Sequence, residues 1–99
     1  MSVTPRVVVV GLGPGGPDLV TEGTLAEIEA HPIRFLRTER HPSAPLVVDA
    51  TSFDGVYEEA ATLDEVYASI VERLVAAAGD HATVLYAVPG SPVVAERTV

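Results

Sequence analysis

Short apolar runs alternate with polar and glycine- or proline-rich segments along the chain. Four of these runs predict strands, at residues 6–10, 33–37, 46–48 and 83–88. The first is a continuous β-branched run with no polar alternation, which is typical of a strand that is buried on both faces of a parallel sheet. The segments of 22 and 34 residues that follow the first and third runs leave room for helices.

Helical periodicity is clearest after Thr62. Thr62 and Glu65 form a capping box, and the apolar residues that follow recur at helical spacing, so we expect one core-facing stripe. The stripe consists of Leu63, Val66, Tyr67, Ile70, Val71, Leu74, Val75 and Ala78. Gly79 is the natural C′ residue of this helix.

Three further helical segments are predicted. Residues 21–30 read as a short helix that Thr21 or Thr24 caps and that ends before Pro32. Residues 56–60 favour a helical turn, and another helix is expected to start at Val93. Strands that alternate with helices imply right-handed crossovers. The predicted fold class is therefore α/β, with an open, mostly parallel sheet of about four to five strands flanked by helices.

Two glycine-proline turns follow the first and last predicted strands. The first has the sequence Gly-Leu-Gly-Pro-Gly-Gly at residues 11–16, and the second has the sequence Pro-Gly-Ser-Pro at residues 89–92. Ligands of open α/β sheets bind at the carboxyl ends of the strands. Two turns with so little side-chain bulk therefore suggest a small molecule that lies against backbone.

The first turn also satisfies the spacing of a dinucleotide-binding fingerprint, with Glu39 about 20 residues further on. That fingerprint needs a helix that starts within the glycine run. Here Pro14 and Pro17 remove two backbone donors, and the helix is predicted to start only near Thr21. A dinucleotide site stays an alternative, and so does a plain turn with no ligand.

Composition narrows the class of protein. The 99 residues suffice for one domain, and 47% of them are hydrophobic. A net charge of −8 disfavours nucleic-acid binding, since such proteins need a basic surface. The absence of cysteine excludes disulfides and thiolate metal sites and fits a cytoplasmic protein. No segment is predicted to cross or bind a membrane.

Titratable residues outside the turns give weaker signals. Magnesium binding by Glu58, Glu59 and Glu65 is disfavoured, because they flank a helix start, where acids suit the dipole. The histidines His31, His41 and His81 are isolated and are expected at the surface. Arg37 lies at the end of the second predicted strand, and Arg40 lies beyond it. They could meet an anionic ligand, but we expect them to pair with neighbouring carboxylates.

The two turns, with their flanking residues, resemble the tetrapyrrole (corrin/porphyrin) methylase family. Residues 8–21 look like the family's opening signature, a strand followed by Gly-x-Gly-Pro-Gly and a Leu-Leu-Thr-like helix entry. Residues 86–95 resemble its later Gly-Gly-Asp-Pro loop, which contacts S-adenosylmethionine. The resemblance implies methyl transfer from this cofactor. It also implies a two-sided cleft, whose binding residues are Gly13, Pro14 and Gly15 on the substrate side and Pro89, Gly90 and Ser91 on the cofactor side.

The resemblance also implies a position within a larger protein. Ser91 stands where methylating members usually have Asp. Residues 35–42 and 88–99 instead look like the branch fused to MazG-type nucleoside triphosphate pyrophosphohydrolases. Residues 1–99 are then the amino-terminal half of the methylase domain, without its second lobe, and are expected to be inactive alone.

The resemblance also implies a substrate and a partner. The substrate would be a small molecule, with tetrapyrroles as the candidate class. The partner would be a second copy or the missing lobe. A non-catalytic regulatory or dimerisation module of such a pyrophosphohydrolase stays the alternative.

Overall fold

A computed structural model describes residues 5–90, which form a four-stranded parallel sheet with helices on both faces. The strands are β1 (Arg6–Gly11), β2 (Arg34–Leu36), β3 (Thr51–Ser52) and β4 (Thr83–Val88). The helices are α1 (Glu22–Ala30), α2 (Asp54–Glu59) and α3 (Leu63–His81), with short 3₁₀ turns at Pro17–Leu19 and Ala44–Leu46. The predicted α/β class is confirmed. The helix expected from Val93 lies outside the described residues.

The sheet has the strand order β1-β4-β2-β3, so the last described strand inserts between the first two. β1 and β4 pair along their whole length, from Arg6 opposite Thr83 to Gly11 opposite Val88. A strand in the middle of a parallel sheet is covered on both faces. β4 therefore needs its continuous apolar sequence, and Val84 and Leu85 have no exposed surface.

The two faces of the sheet carry separate apolar clusters, because successive side chains of a strand point to opposite faces. On the α1 face, the cluster contains Val10, Leu12, Ile28, Leu36, Ala44, Val47, Leu85 and Ala87. On the face that α2 and α3 cover, it contains Phe53, Val56, Val66, Ile70, Leu74, Ala78 and Val84. Phe53 stacks on Phe35 of β2 with ring centroids 5.4 Å apart. It also meets Tyr86 of β4 edge-on at 5.7 Å.

The third strand is not where the apolar run 46–48 predicted it. The chain there forms the 3₁₀ turn Ala44–Leu46, in which Pro45 lacks an N–H for a strand ladder. The Val47 N–H donates to the Ala44 carbonyl, and its side chain is buried in the α1-side cluster. β3 forms four residues later, where Thr51 and Ser52 pair with Phe35 and Leu36.

Both predicted caps at helix starts are confirmed. The Thr21 hydroxyl accepts from the Thr24 N–H, and α1 ends at Ala30, as predicted. The capping box of α3 is complete, with the Thr62 hydroxyl accepting from the Glu65 N–H at 3.2 Å. The helical turn expected at 56–60 corresponds to α2.

The predicted core stripe of α3 is only half buried. One row, Val66, Ile70, Leu74 and Ala78, packs on the sheet. The other residues, Leu63, Tyr67, Val71 and Val75, are 45% to 62% exposed. Neighbouring positions of a helix lie about 100° apart. The apolar arc of α3 is therefore wider than the strip that contacts the sheet.

Among the described residues, no helix is long and apolar enough to span a membrane.

The end of α3 also differs from the prediction. Gly79 is not the C′ residue, because the helix continues to His81 and Ala82 follows as its cap. Ala82 has a φ of 69° and a ψ of −51°, a region that is unfavourable for a residue with a Cβ atom. Gly79, which has the greater conformational freedom, thus lies inside the helix, and the residue with positive φ is Ala82.

We expect Gly79→Ala and Ala82→Gly each to raise the free energy of unfolding, by about 0.5–1 kcal/mol. The first replaces an exposed helical glycine whose added Cβ meets no atom within 4 Å, and the second relieves the positive φ. Urea unfolding of both single variants and of the double variant measures the effects. A destabilising Ala82→Gly would contradict the geometry described for the helix end.

Candidate functional site

The carboxyl ends of all four strands lie at one edge of the sheet, because the strands are parallel. At this edge the two glycine turns meet directly. The Gly13 N–H donates to the Gly90 carbonyl and the Gly90 N–H donates to the Gly13 carbonyl, both at 3.1 Å. The Leu12 N–H adds a bond to the Val88 carbonyl at 2.8 Å. The expected side-by-side placement of the turns is therefore present.

Gly13 and Gly90, which pair at this junction, both adopt a backbone conformation that favours glycine. Gly13 has a φ of +73° and Gly90 has a φ of +77°. A Cβ on Gly13 would also lie 3.3 Å from the Leu19 carbonyl oxygen. The mutual hydrogen bonds use the N–H and the carbonyl of both residues. The described residues offer no partner for the N–H groups of Gly15 and Gly16. These two amides are therefore the backbone donors that the first turn can present to a ligand.

His41 and Ser43 support the first turn from the loop after β2. The Ser43 N–H donates to His41 Nδ1 at 3.0 Å. Because Nδ1 accepts, Nε2 carries the proton in the neutral ring and donates to the Gly13 carbonyl at 2.7 Å. The Ser43 hydroxyl donates to the Gly15 carbonyl at 2.8 Å, and Ser43 is fully buried.

His41 is thus half-buried and doubly hydrogen-bonded, so the prediction of a surface histidine is wrong for this residue. The prediction failed because the partner glycine lies 28 positions away in the sequence. Only the position of His41, shortly after the carboxyl end of a predicted strand, could have indicated from the sequence that it contacts the first turn.

A pocket of about 290 Å³ lies at the ends of β2 and β3, beside α2. We call it the arginine pocket. Its lining consists of Arg37, Thr38, Arg40, Asp54, Tyr57 and Glu58. The sequence indicates that the two arginines could meet an anionic ligand, but it does not connect them with Asp54 and Tyr57. The position of Asp54 next to a two-residue strand carried no recognisable pattern.

Asp54 holds the turn that carries the arginines. Its Oδ2 accepts from the Glu39 N–H at 2.9 Å and from the Ser52 hydroxyl at 3.0 Å. The Glu39 bond, with help from Thr38 and Ser52, lowers the pKa of the Asp54 carboxyl below its ordinary value of 3.8. The carboxylate is therefore charged at neutral pH.

The expectation that Arg37 and Arg40 pair with carboxylates is wrong for the described residues. Neither guanidinium lies within 4.0 Å of a carboxylate of residues 5–90. Arg34 has a different role, because it donates to the carbonyls of Ile28, His31 and Val48, each at 2.9 Å. It joins the end of α1 to the segment before β3.

Two of the remaining candidates, His31 and Glu65, have local partners. His31 Nε2 lies 3.1 Å from a carboxylate oxygen of Glu27, one helical turn earlier in α1. The Glu65 carboxylate accepts from the N–H groups of Ala61 and Thr62 at the start of α3. Residues 5–90 contain no group of three or more acidic, histidine or cysteine side chains arranged to hold a metal ion.

A dinucleotide site at the first turn requires a helix that begins within the glycine run, and no helix begins at residues 11–16. α1 begins at Glu22, and the 3₁₀ turn Pro17–Leu19 separates it from the glycine run. The helix approaches β1 through a side chain instead, since the Thr24 hydroxyl donates to the Gly11 carbonyl at 3.3 Å. The arrangement that delivers helix N–H groups to a pyrophosphate is therefore absent from the first turn.

Comparison with known proteins identifies the family. The family model described as Tetrapyrrole (Corrin/Porphyrin) Methylases matches residues 6–99. The chain belongs to the tetrapyrrole methylase family. Members of this family generally use S-adenosylmethionine. The chain is also 37% identical, over 98 residues, to the uncharacterized protein YabN of Bacillus subtilis (strain 168). That match covers 95% of this chain and 20% of YabN, so the chain spans about a fifth of this relative. No solved structure is significantly similar to it.

Five of the six binding residues that the family resemblance implied lie in the two joined turns. They are Gly13, Pro14, Gly15, Pro89 and Gly90, and Ser91 lies outside the described residues. Their role in cofactor binding stays a prediction. The geometry adds that Gly13 and Gly90 hold the turns together, whereas the Gly15 and Gly16 amides are the available donors.

Replacing Gly13 by alanine should lower the free energy of unfolding by about 1–2 kcal/mol, because positive φ and the nearby Leu19 carbonyl both oppose a Cβ atom. Gly55→Ala is the matched control, since its Cβ meets open space in α2. That variant should be as stable as the wild type or slightly more stable. Urea unfolding distinguishes the two. Equal stabilities for both variants would show that Gly13 is not constrained as described.

The lowered pKa of Asp54 predicts a specific acid sensitivity. A carboxyl whose folded pKa lies below its unfolded value stabilises the fold above the unfolded pKa, and this contribution is lost as pH falls through the folded pKa. The stability difference between wild type and Asp54→Asn should be constant above about pH 5 and shrink toward pH 3. Urea unfolding at each pH measures it. Ser52→Ala removes one donor and should reduce the same difference, whereas a pH-independent difference would refute the assignment.

Proposed function

We propose that this chain forms one wall of an S-adenosylmethionine-binding cleft and is part of a methyltransferase. The direct pairing of Gly13 with Gly90 carries this proposal. It joins two turns of low bulk into one backbone surface at the carboxyl edge of the sheet, where ligands of this class of fold bind. Membership of the tetrapyrrole methylase family supports the same conclusion.

The residues of the first turn suit such a ligand. The N–H groups of Gly15 and Gly16 can donate to its carboxylate or hydroxyl oxygens. A Cβ on Gly15 would lie 3.0 Å from Leu19 Cδ1, and one on Gly16 would lie 3.0 Å from Asp18 Oδ1. A side chain at either position would have to displace one of these neighbours, whereas glycine leaves the turn as it is and adds no bulk beside its amides. The net charge of −8 also favours a ligand that carries a sulfonium cation.

The chemistry would belong mainly to the cofactor, whose sulfonium makes the methyl group electrophilic. The protein residues would bind and orient it. The Gly15 and Gly16 amides are proposed to fix one end of the ligand. The His41–Ser43 support keeps the carbonyls of Gly13 and Gly15 turned toward the protein, so that acceptors do not face the ligand. Orientation of this kind lowers the entropic cost of the transfer.

We also propose the finer family position indicated by the sequence, the branch fused to MazG-type pyrophosphohydrolases. The resemblance of residues 35–42 and 88–99 supports it. YabN is about five times as long as its match to this chain, which leaves room in that protein for further domains. A tetrapyrrole substrate, like the methyl transfer itself, is proposed from the family alone. A non-catalytic module of such an enzyme would not need to bind the cofactor.

Titration of the ¹⁵N-labelled chain with S-adenosylmethionine tests the proposal. One wall of a cleft should bind weakly, with a dissociation constant of about 1 mM or above. We expect saturable amide shifts at Gly13, Gly15, Gly16 and Gly90. S-adenosylhomocysteine, which lacks the methyl group and the charge, should give shifts at the same residues.

A matched pair of variants provides the control. Gly15→Ala adds a methyl group that the exposed Leu19 side chain can accommodate, so the fold should persist while the shifts diminish at least threefold at equal ligand concentration. Gly55→Ala should leave them unchanged. Shifts that map elsewhere, or an absence of shifts at 10 mM ligand, would contradict the proposal. Micromolar affinity would show that no second wall is needed.

A further inference from the structure

We propose that the arginine pocket is a second ligand site, which binds the anionic group of a small molecule through Arg37 and Arg40. The anionic group is a carboxylate or a phosphate. This proposal stands apart from cofactor binding, because the lining of the pocket contains none of the glycine-turn residues.

The sheet fixes the position of Arg37 in the lining of the pocket. Its N–H donates to the Ala87 carbonyl at 3.0 Å, so the backbone of this residue is fixed directly after β2. The side chain is half-buried, and no carboxylate of residues 5–90 lies within 4.0 Å of it. A guanidinium presents several N–H donors in a planar fork that matches a carboxylate or a phosphate. Arg37 therefore brings a positive charge into the pocket without a paired acid from the described residues.

Neither acidic lining residue forms an ion pair with the two arginines. Asp54 directs Oδ2 at the Glu39 N–H and the Ser52 hydroxyl, which belong to the surrounding turns. Its bond to Glu39 holds the segment between Arg37 and Arg40 in place. Arg40 lies close enough to help lower the Asp54 pKa but does not form an ion pair with it. Glu58 is exposed on α2.

The hydroxyl of Tyr57, which lines the same pocket, adds a further donor. Burial raises the pKa of the Tyr57 phenol, against the opposing effect of the nearby Arg37 charge, so the hydroxyl keeps its proton at neutral pH and can donate to an anion. The volume of about 290 Å³ is near the lower end of the range for ligand pockets, about 300–1,000 Å³. It suits a small acid or the charged end of a larger molecule.

Titrations with inorganic phosphate and with acetate, at pH 7 and constant ionic strength, test the site on the complete 99-residue chain. Chemical shifts of the Arg37 and Arg40 side-chain Nε–H groups and of the Thr38 amide report binding. We expect saturable shifts with at least one of the two anions. A stronger response to phosphate identifies a phosphate ligand, and a stronger response to acetate identifies a carboxylate.

Substitutions distinguish a built site from general charge attraction. Arg37→Gln should weaken anion binding at least tenfold, and Arg37→Lys should weaken it less, because the charge remains while the fork is lost. Arg73→Gln removes the same charge from the exposed face of α3 and should change the affinity less than twofold. Unfolding curves confirm that each variant is folded.

Three results would overturn the proposal. They are shifts that rise linearly without saturation, equal losses of affinity in Arg37→Gln and Arg73→Gln, and binding that maps to Gly15 and Gly16 instead. The cofactor titration is read from the glycine amides. A failure of the arginine pocket is therefore distinguishable from a failure of the proposed function.

Discussion

The parallel pairing of β1 with β4 is the contact on which the rest of the structure depends. It joins the beginning and the end of the described chain along six residue pairs and sets the register at the carboxyl edge. Because Gly11 lies opposite Val88, the turns that follow these residues emerge side by side. The register therefore leads directly to the Gly13–Gly90 pairing. A slip of one residue would turn each β4 side chain to the opposite face of the sheet, so that Val84 and Leu85 would each leave their apolar cluster.

A second constraint comes from backbone carbonyls at the end of α1 and in the loops, which accept hydrogen bonds from side chains. Arg34 donates to the carbonyls of Ile28, His31 and Val48. His41 donates to the Gly13 carbonyl, and Ser43 donates to the Gly15 carbonyl. Within residues 5–90, no buried side-chain polar atom lacks a partner. Arg34, His41 and Ser43 thus have a structural role, because their hydrogen bonds hold the loops in place.

The sequence predicted those features whose cause is local. The valine run of β1, the apolar run of β4 and the cap at Thr62 each act within a few residues, and each was predicted at its observed position. β3 was missed because a two-residue strand has no periodicity, and its pairing depends on β2. The structure of His41 and that of the arginine pocket depend on contacts between distant segments. The exposure of half the α3 stripe depends on how the helix lies on the sheet, which its own sequence does not determine.

The Gly13 carbonyl accepts from two donors, the Gly90 N–H and His41 Nε2, and this has a mechanical consequence. The oxygen joins three separate loops, so none of them can move at this point without straining the other two. His41 follows Arg40 directly in the chain. A ligand that displaced the first turn would therefore transmit its displacement through the imidazole to the lining of the arginine pocket. Two ligands coupled in this way would each change the affinity for the other by the same factor.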